Sequence, residues 1–98
     1  FIFTSGQGAL HPKTNEVVGE SIIEQTRHTL NNLKNILESA GSSFDKVVKV
    51  NAYLADINDF NDFNEAYKEF FKAPYPARTT IGCKLIGIKV EIDLVALK

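Results

Sequence analysis

The sequence predicts a single α+β domain in which a mixed β-sheet carries two helices on one face. The chain has 98 residues, 44% hydrophobic and 23% charged, which is enough for one domain of ordinary globular composition. Short β-prone segments alternate with two longer segments whose apolar residues recur every three or four positions. The predicted order is therefore β(β)-α-β-α-β-β, and two helices can cover only one face of such a sheet.

The first strand is predicted at residues 1–4, and the glycines of Ser5-Gly6-Gln7-Gly8 end it in a tight bend. This bend is followed by a turn through Pro12 rather than by a helix, so it does not fit a dinucleotide-binding loop. Two interpretations stay open: its backbone N–H groups bind a small anion beside the Ser5 hydroxyl, or it is simply a turn. Val17 and Val18 are expected to pair back as a short strand.

Both helices have clear start and stop signals. Ser21 is placed to cap the first helix and Gly41 to end it in a left-handed turn. Asn58 is placed to cap the second, and Pro74 and Pro76 prevent its continuation. The predicted inner faces consist of Ile23, Thr26, Leu30, Leu33, Leu37 and Ala40 in the first helix, and Phe60, Phe63, Tyr67 and Phe70 in the second.

A central strand is predicted within residues 44–54, and strands at residues 79–83 and 89–97 close the chain. Alternation along the central strand places Val48, Val50, Ala52 and Leu54 on one face, and Val47, Lys49, Asn51 and Tyr53 on the other. The face without helices then carries Phe1, Phe3, Val47, Tyr53, Val95 and Leu97. An apolar face of this size is not left in water, so we expect a second copy to cover it in a homo-oligomer. Burial by a preceding N-terminal segment is the rival explanation.

Composition excludes several classes of function. The formal charge is −1, from 11 basic and 12 acidic residues, and no basic stripe is present, which argues against nucleic acid as the main partner. No apolar stretch approaches the roughly 20 residues of a membrane-spanning helix. The single cysteine, Cys83, excludes an internal disulfide and fits a reducing compartment. His28 is expected to face solvent, and neither it nor His11 has metal-ligand spacing to other residues, so no metal is expected.

Arg78 is the best candidate for a functional residue. Pro74 and Pro76 stiffen the segment that leads to it, so its guanidinium projects from a rigid backbone. The planar guanidinium group of an arginine can donate two parallel hydrogen bonds to the two oxygens of a carboxylate. The alternative is a structural arginine that pairs with an acidic neighbour at a strand end. The functional interpretation requires Arg78 to face a subunit interface.

Glu91 and Asp93 are predicted to lie on one face of the last strand, together with Val95 and Leu97. A carboxylate in a partly apolar cleft can position or deprotonate water. The alternative is two charges on a solvated strand face. No serine or cysteine has an assignable base nearby, so the residues do not indicate nucleophilic catalysis.

Several segments become specific when they are taken together and in order. They are Phe3-Thr4-Ser5-Gly6-Gln7 with His11-Pro12-Lys13-Thr14, residues 47–60, Pro76-Ala77-Arg78-Thr79, and Val90-Glu91-Ile92-Asp93. In this order and spacing they resemble the YjgF/RidA family of reactive-intermediate deaminases. The resemblance extends over nearly the whole chain, although each segment alone is unspecific.

The resemblance implies a fold, an assembly and an activity. The fold would be a chorismate-mutase-like α+β domain, assembled as a homotrimer with the bare sheet faces inward and clefts between subunits. The activity would be hydrolysis of 2-imino or 2-enamino acids, such as 2-aminoacrylate and 2-iminopropanoate, to 2-keto acids and ammonia. No metal or organic cofactor is implied. The expected location is the cytoplasm, or the mitochondrion if a targeting segment precedes this chain.

The resemblance also assigns roles to individual residues. Arg78 corresponds to the arginine that clamps the substrate carboxylate, and Glu91 to the glutamate that orients the attacking water. Ser5, Gly6 and Asn64 correspond to residues that line the cleft. Because an imine is already electrophilic, such a site needs chiefly to hold the carboxylate, place water and stabilise the developing amine.

The chain departs from the family pattern in three places. Thr80 stands where the family often has a cysteine, and we expect it to line the substrate site through its backbone. The loop from Cys83 to Lys89 is about two residues shorter than usual. The family's cleft tyrosine and first strand precede Phe1, so residues 1–98 are expected to form a single domain without that strand. A non-catalytic, ligand-binding or regulatory, chaperone-like trimer is the alternative function.

Overall fold

The computed structural model covers residues 1–98 and confirms the small α+β fold with a mixed sheet and two helices. The α-helices and strands are β1 (Ile2–Phe3), β2 (Gln7–Gly8), α1 (Ile22–Ser39), β3 (Val47–Leu54), α2 (Phe60–Tyr67), β4 (Ala77–Gly82) and β5 (Val90–Ala96). Short 3₁₀ turns at Phe44–Lys46 and Ile57–Asp59 lead into β3 and α2.

The sheet has the strand order β1-β5-β3-β4, and β2 also pairs with β5. The β3–β4 pair is parallel, with α2 in the crossover between them, whereas the other pairs are antiparallel. The long strand β5 therefore lies inside the sheet, between β3 and the two short N-terminal strands. The strand β4 lies at the opposite edge.

Both helices pack on one face of the sheet, as predicted. A capping box starts α1, because the Ser21 hydroxyl accepts from the Glu24 backbone N–H and the Glu24 carboxylate accepts from the Ser21 N–H. Gly41, with φ +81°, follows the helix end in the left-handed conformation that favours glycine. The core between the helices and the sheet contains fully buried residues from both layers. They include Leu30, Leu33, Leu37 and Phe63 of the helices, and Val50, Leu54, Val90 and Ile92 of the sheet.

The predicted alternation along the central strand is wrong at its start. Val47, expected on the uncovered face, is buried in the core, and Val48, expected in the core, is 41% exposed. A β-bulge shifts the register against β5 between Val47 and Lys49. One inserted residue reverses the side to which preceding side chains point, and the alternation is as predicted from Val50 onward.

The second helix also begins differently from the prediction. Asp56, rather than Asn58, caps this region by accepting from the Asn58 backbone N–H at 2.9 Å, and it starts a 3₁₀ turn instead of the helix. The helix α2 therefore begins only at Phe60, which remains 37% exposed at the rim of the core. Phe70 lies beyond the end of α2 but still packs against the core.

Three smaller predictions need correction. Val17 pairs back on Leu10, but as an isolated β-bridge, and Val17 and Val18 do not form a strand. In the first helix Ile22 is buried, while Ile23 is only half-buried. His28 is half-buried instead of facing solvent, because its Nε2 lies 3.2 Å from the Leu10 carbonyl oxygen across the turn that packs on α1.

The sheet face without helices is largely apolar and open in the single chain. Phe1 and Phe3 are 79% and 74% exposed, and Leu97 is also exposed. Tyr53 and Val95 on the same face are half-buried. We refer to this surface as the open face and to the helix-covered side as the covered face. No helix in the structure is both long and apolar enough to cross a membrane.

Candidate active site

Arg78 lies within β4, because this strand begins at Ala77 instead of residue 79 as predicted. Its Cα partner in β3 is Val50, whose side chain is fully buried, so Arg78 projects toward the covered face. There its guanidinium donates a hydrogen bond of 2.8 Å to the Asn64 side-chain oxygen on α2. The structure thus brings together two of the residues predicted to bind substrate.

Three aromatic rings of α2 surround the same guanidinium. The Arg78 Cζ lies 4.5 Å from the ring centroid of Tyr67, 5.4 Å from Phe63 and 5.6 Å from Phe60. Cations at these distances are attracted to the electron-rich ring faces. Neither ion pair in the chain involves Arg78. It is therefore held in place by an amide and aromatic rings, with its charge free to bind an anion.

A pocket of about 380 Å³ opens in front of Arg78. It is lined by Asn64, Tyr67, Lys68, Tyr75, Pro76 and Arg78. The lining contains two cations and no carboxylate. Such a lining favours an anionic ligand, and the volume is within the usual range for small-molecule sites. We call this cavity the Arg78 pocket.

Tyr67 contributes a buried hydroxyl to this region. The residue is 5% exposed, and its hydroxyl finds no hydrogen-bond acceptor in the chain. Burial raises the pKa of Tyr67, and the charge of the neighbouring Arg78 and its hydrogen bonding to the Tyr67 side chain offset only part of that shift. The phenol therefore stays protonated at neutral pH and can donate a hydrogen bond.

Thr80 lies two residues after Arg78 and points to the same side of β4, since its Cα partner is the buried Ala52. Its hydroxyl oxygen is buried and has no partner. The side chain is not part of the lining of the Arg78 pocket. Thr80 is thus adjacent to the Arg78 site along the strand but does not line it with its side chain.

Glu91 lies on β5, and its Cα partner in β3 is Tyr53 on the open face. Gly6 lies directly beside Glu91. If residue 6 had a side chain, its Cβ would come within 3.0 Å of the Glu91 Cδ. Glycine is thus required for the carboxylate to lie against this backbone. Ser5, which is exposed, accepts a hydrogen bond from the Gln7 side chain. The structure brings Ser5, Gly6 and Glu91 together.

Asp93 extends this polar group along the open face. It accepts hydrogen bonds from the Asn51 amide at 2.9 Å and from the Tyr53 hydroxyl at 3.1 Å. The bond to Asp93, followed by burial and the charges of Asp93 and Glu91, raises the pKa of Tyr53. Tyr53 therefore remains a proton donor at neutral pH. Neither Asp93 nor Glu91 takes part in an ion pair of the chain.

The two groups of predicted site residues lie on opposite faces of the sheet. Arg78 and Asn64 belong to the covered face, whereas Glu91, with Ser5 and Gly6 beside it, belongs to the open face. The strand β3 separates the two strands that carry Arg78 and Glu91. Within one chain, these two groups of residues therefore do not form a single cleft.

Comparisons with known proteins identify the family of the chain. The family model described as Endoribonuclease L-PSP matches residues 1–98. The chain belongs to the YjgF/RidA family.

Individual relatives of this YjgF/RidA chain have different descriptions. The mitochondrial protein mmf2 of Schizosaccharomyces pombe is 48% identical over 100 residues, covering 97% of this chain and 78% of the relative. The human 2-iminobutanoate/2-iminopropanoate deaminase is 39% identical over 99 residues, covering 99% and 72%. The crystal structure of E. coli TdcF with bound serine superposes with a TM-score of 0.88 at 36% identity, covering 98% and 79%. Homologues thus support deaminase function at the level of the family.

Sequence analysis gave no site role to two residues that line the Arg78 pocket, Tyr67 and Lys68. Tyr67 was assigned only to the helix core. The two residues follow Asn64 by three and four positions, Tyr67 as the last residue of α2 and Lys68 as its C-cap, and this spacing places side chains on one helix face. That spacing was a signal in the sequence, because it extends from a residue already assigned to the cleft.

A second crevice of about 490 Å³ lies between α1 and the turn after β2. Gly6 is the only predicted site residue in its lining, which otherwise consists mainly of uncharged polar groups such as Asn32, Asn35 and Ser39. Asn32 fixes this turn by donating to the carbonyl oxygens of Gly8 and Leu10. No group of three or more His, Cys, Asp or Glu residues has a metal-binding arrangement.

Proposed function

We propose that the chain hydrolyses reactive 2-imino and 2-enamino acids to 2-keto acids and ammonia. The observation that carries this proposal is the Arg78 guanidinium, which is fixed by Asn64 and three aromatic rings while its charge stays unpaired at a pocket without carboxylates. This arrangement suits the carboxylate that all such substrates share. Deaminase names among the homologues support the same reaction.

The reaction needs little beyond positioning and proton transfer. Arg78 holds the substrate carboxylate, and the Glu91 carboxylate accepts a proton from water as the water oxygen attacks C2 of the imine. Glu91 then returns that proton to the nitrogen, which gives the carbinolamine. Transfer of the C2 hydroxyl proton to the nitrogen, again through the Glu91 carboxylate, lets the C2–N bond break, so that ammonia leaves as the C2 carbonyl forms. One water is consumed and one ammonia is released, without any change in oxidation state.

Two copies of the chain are needed to complete this site, and we propose that the chain acts as a homotrimer. Arg78 and Glu91 face opposite sides of one sheet, so the Arg78 pocket of one subunit must meet the Glu91 group of another. The exposed Phe1, Phe3 and Leu97 of the open face support assembly through that face. Ser5 and Gly6 would accompany Glu91 into the shared cleft.

The reaction is tested by generating 2-aminoacrylate with a dehydratase and following pyruvate release. The wild-type protein is expected to accelerate release over the spontaneous rate, and Arg78→Ala to lose about 10²–10³-fold of that acceleration through loss of the charged anchor. Arg27→Ala, which removes the only other arginine, is the matched control and should retain the acceleration of pyruvate release. Absence of acceleration by the wild type would refute the enzymatic proposal and favour the non-catalytic, ligand-binding trimer.

The shared cleft is tested by mixing inactive subunits. Arg78→Ala and Glu91→Gln chains are each expected to be inactive. Co-refolded in equal amounts, they should regain about one quarter of the wild-type sites, because a site is intact when each neighbour supplies its unaltered residue. If no activity returns while mixed assemblies form, each site uses Arg78 and Glu91 of the same chain.

A further inference from the structure

We propose that the Arg78 pocket selects 2-imino acids whose side chain ends in a second carboxylate, with Lys68 as the specificity-determining residue. This inference rests on the proposed function, because it names the substrate class for the same site. It is carried by the charge of the pocket, by a buried Tyr67 hydroxyl that has no acceptor in the chain, and by the placement of Lys68 at the C-terminal end of α2.

The pocket has more positive charge than one carboxylate needs. Arg78 and Lys68 both line it, and no acidic side chain does. The nearest acid to Lys68 is Glu65, whose carboxylate lies 3.9 Å from the ammonium, with both side chains more than half exposed. A pair at this distance and exposure is weak, so Lys68 remains available to a ligand.

The two cations suit two different carboxylates. The planar guanidinium of Arg78 binds one carboxylate through two parallel N–H donors. Lys68 instead offers a compact charge on a flexible stem, which can follow a carboxylate at the end of a side chain. Lys68 is the C-cap of α2, one helical turn after Asn64, and its backbone N–H donates to the Asn64 carbonyl oxygen. Both residues line the same pocket, so both lie on the side of the helix that faces Arg78.

Tyr67 supplies the second, independent observation. Tyr67 is only 5% exposed, and its hydroxyl has no hydrogen-bond acceptor in the chain although the side chain lines the pocket. A buried hydroxyl without a partner is unfavourable, and a ligand oxygen next to it relieves that cost. A substrate with only one carboxylate, already held by Arg78, leaves both this donor and Lys68 unused.

Binding of the product keto acids tests the preference independently of catalysis. The matched probes are 2-oxoglutarate and 2-oxopentanoate, which have the same chain length and differ by the second carboxylate. Calorimetric titration of the assembled wild-type protein is expected to give about tenfold tighter binding of 2-oxoglutarate, as for a partly desolvated charge pair. Lys68→Ala should reduce this ratio to near one, while Lys72→Ala, an exposed lysine outside the pocket, should retain it.

Hydrolysis of the corresponding imines tests the same preference in turnover. Amino-acid oxidases form 2-iminoglutarate from glutamate and 2-iminopentanoate from norvaline, and semicarbazide traps the imine that escapes hydrolysis. The ratio of kcat/KM for the two imines is expected to fall in Lys68→Ala mainly through KM, because Lys68 contributes to binding and not to proton transfer. Tyr67→Phe should lower the same ratio by a smaller factor of about three, the effect of losing one hydrogen bond.

Equal affinity of the wild type for the two keto acids, or a Lys68→Ala variant that keeps the wild-type ratio, would overturn the inference. If the wild type hydrolyses neither imine yet prefers 2-oxoglutarate in a Lys68-dependent way, the proposed reaction fails and the dicarboxylate preference stands. If it hydrolyses both imines equally well, the reaction stands and the preference fails.

Discussion

The two faces of the sheet differ in how much of their environment a single chain provides. On the covered face, Ile92 and Leu94 are 0–1% exposed, and Arg78 is already positioned by α2. On the open face, Phe1 and Phe3 remain largely in solvent, and Glu91 is half-buried with Gly6 beside its carboxyl group. Under the proposed function, this difference means that the anchor for a carboxylate is built within one chain, whereas the placement of water depends on a second subunit.

The sharpest test of this contrast uses neighbouring residues of β5 that point to opposite faces. Leu94→Ala is expected to lower the free energy of unfolding by about 2–5 kcal/mol, because it leaves a cavity in a fully packed core. Urea denaturation followed by circular dichroism measures this loss. A change of well under that range would mean that the covered face rearranges more freely than its packing indicates.

Val95→Asp is the matched change on the open face. We expect the secondary structure to be retained, because Val95 is half-buried and no helix covers it, but assembly to be lost because a charge enters an apolar interface. Sedimentation at micromolar concentration should shift from about three chains to one. A Val95→Asp protein that sediments like the wild type would contradict assembly through the open face.

The next largest effect is expected where Gly6 contacts Glu91. Gly6→Ala places a methyl group against the Glu91 carboxyl and must displace it. A displacement of this size should lower kcat about tenfold, because a misplaced catalytic group loses alignment with water. Stability should change little, since Gly6 is exposed and no positive φ is required there. Gly41→Ala, which lies far from Glu91, is the control: it should lower stability through its φ of +81° and leave kcat unchanged.

The smallest effect is expected at the surface pair between Arg27 of α1 and Glu69. The Arg27 guanidinium donates to both Glu69 oxygens, at 2.7–3.2 Å, and this hydrogen bonding lowers the pKa of Glu69. The contribution is therefore present above the unfolded-state pKa of Glu69 and is lost as pH falls through the lower, folded-state pKa.

Arg27→Ala should slightly weaken stability at pH 7 and have no effect at pH 2, because both side chains are exposed to solvent. Urea denaturation of both proteins at the two pH values measures the difference. A large loss at pH 7 would show that surface charge, and not apolar packing alone, holds the helices on the covered face.

Much of the fold could be predicted because its signals are local. The Ser21 cap, the Gly41 stop and the spacing of Leu30, Leu33 and Leu37 each depend on residues within a few positions of one another. The faces to which Val47 and Val48 point could not be predicted, because a β-bulge depends on pairing with a strand some 45 residues away. The late start of α2 has a different, local origin: Asp56 and Asn58 are both suitable capping residues, and capping preference alone does not choose between them.

The sequence by itself determined the fold class and the family, and it supplied the candidate site residues, including Arg78, Asn64 and Glu91. These follow from short-range periodicity and from motif order, both of which are written along the chain. Only the tertiary structure decided that Arg78 and Glu91 lie on opposite faces and that Lys68 shares a pocket with Arg78. The physical reason is that each single-residue shift in register turns a strand's side chains to the opposite face of the sheet. That register is fixed by packing between strands and helices far apart in the chain.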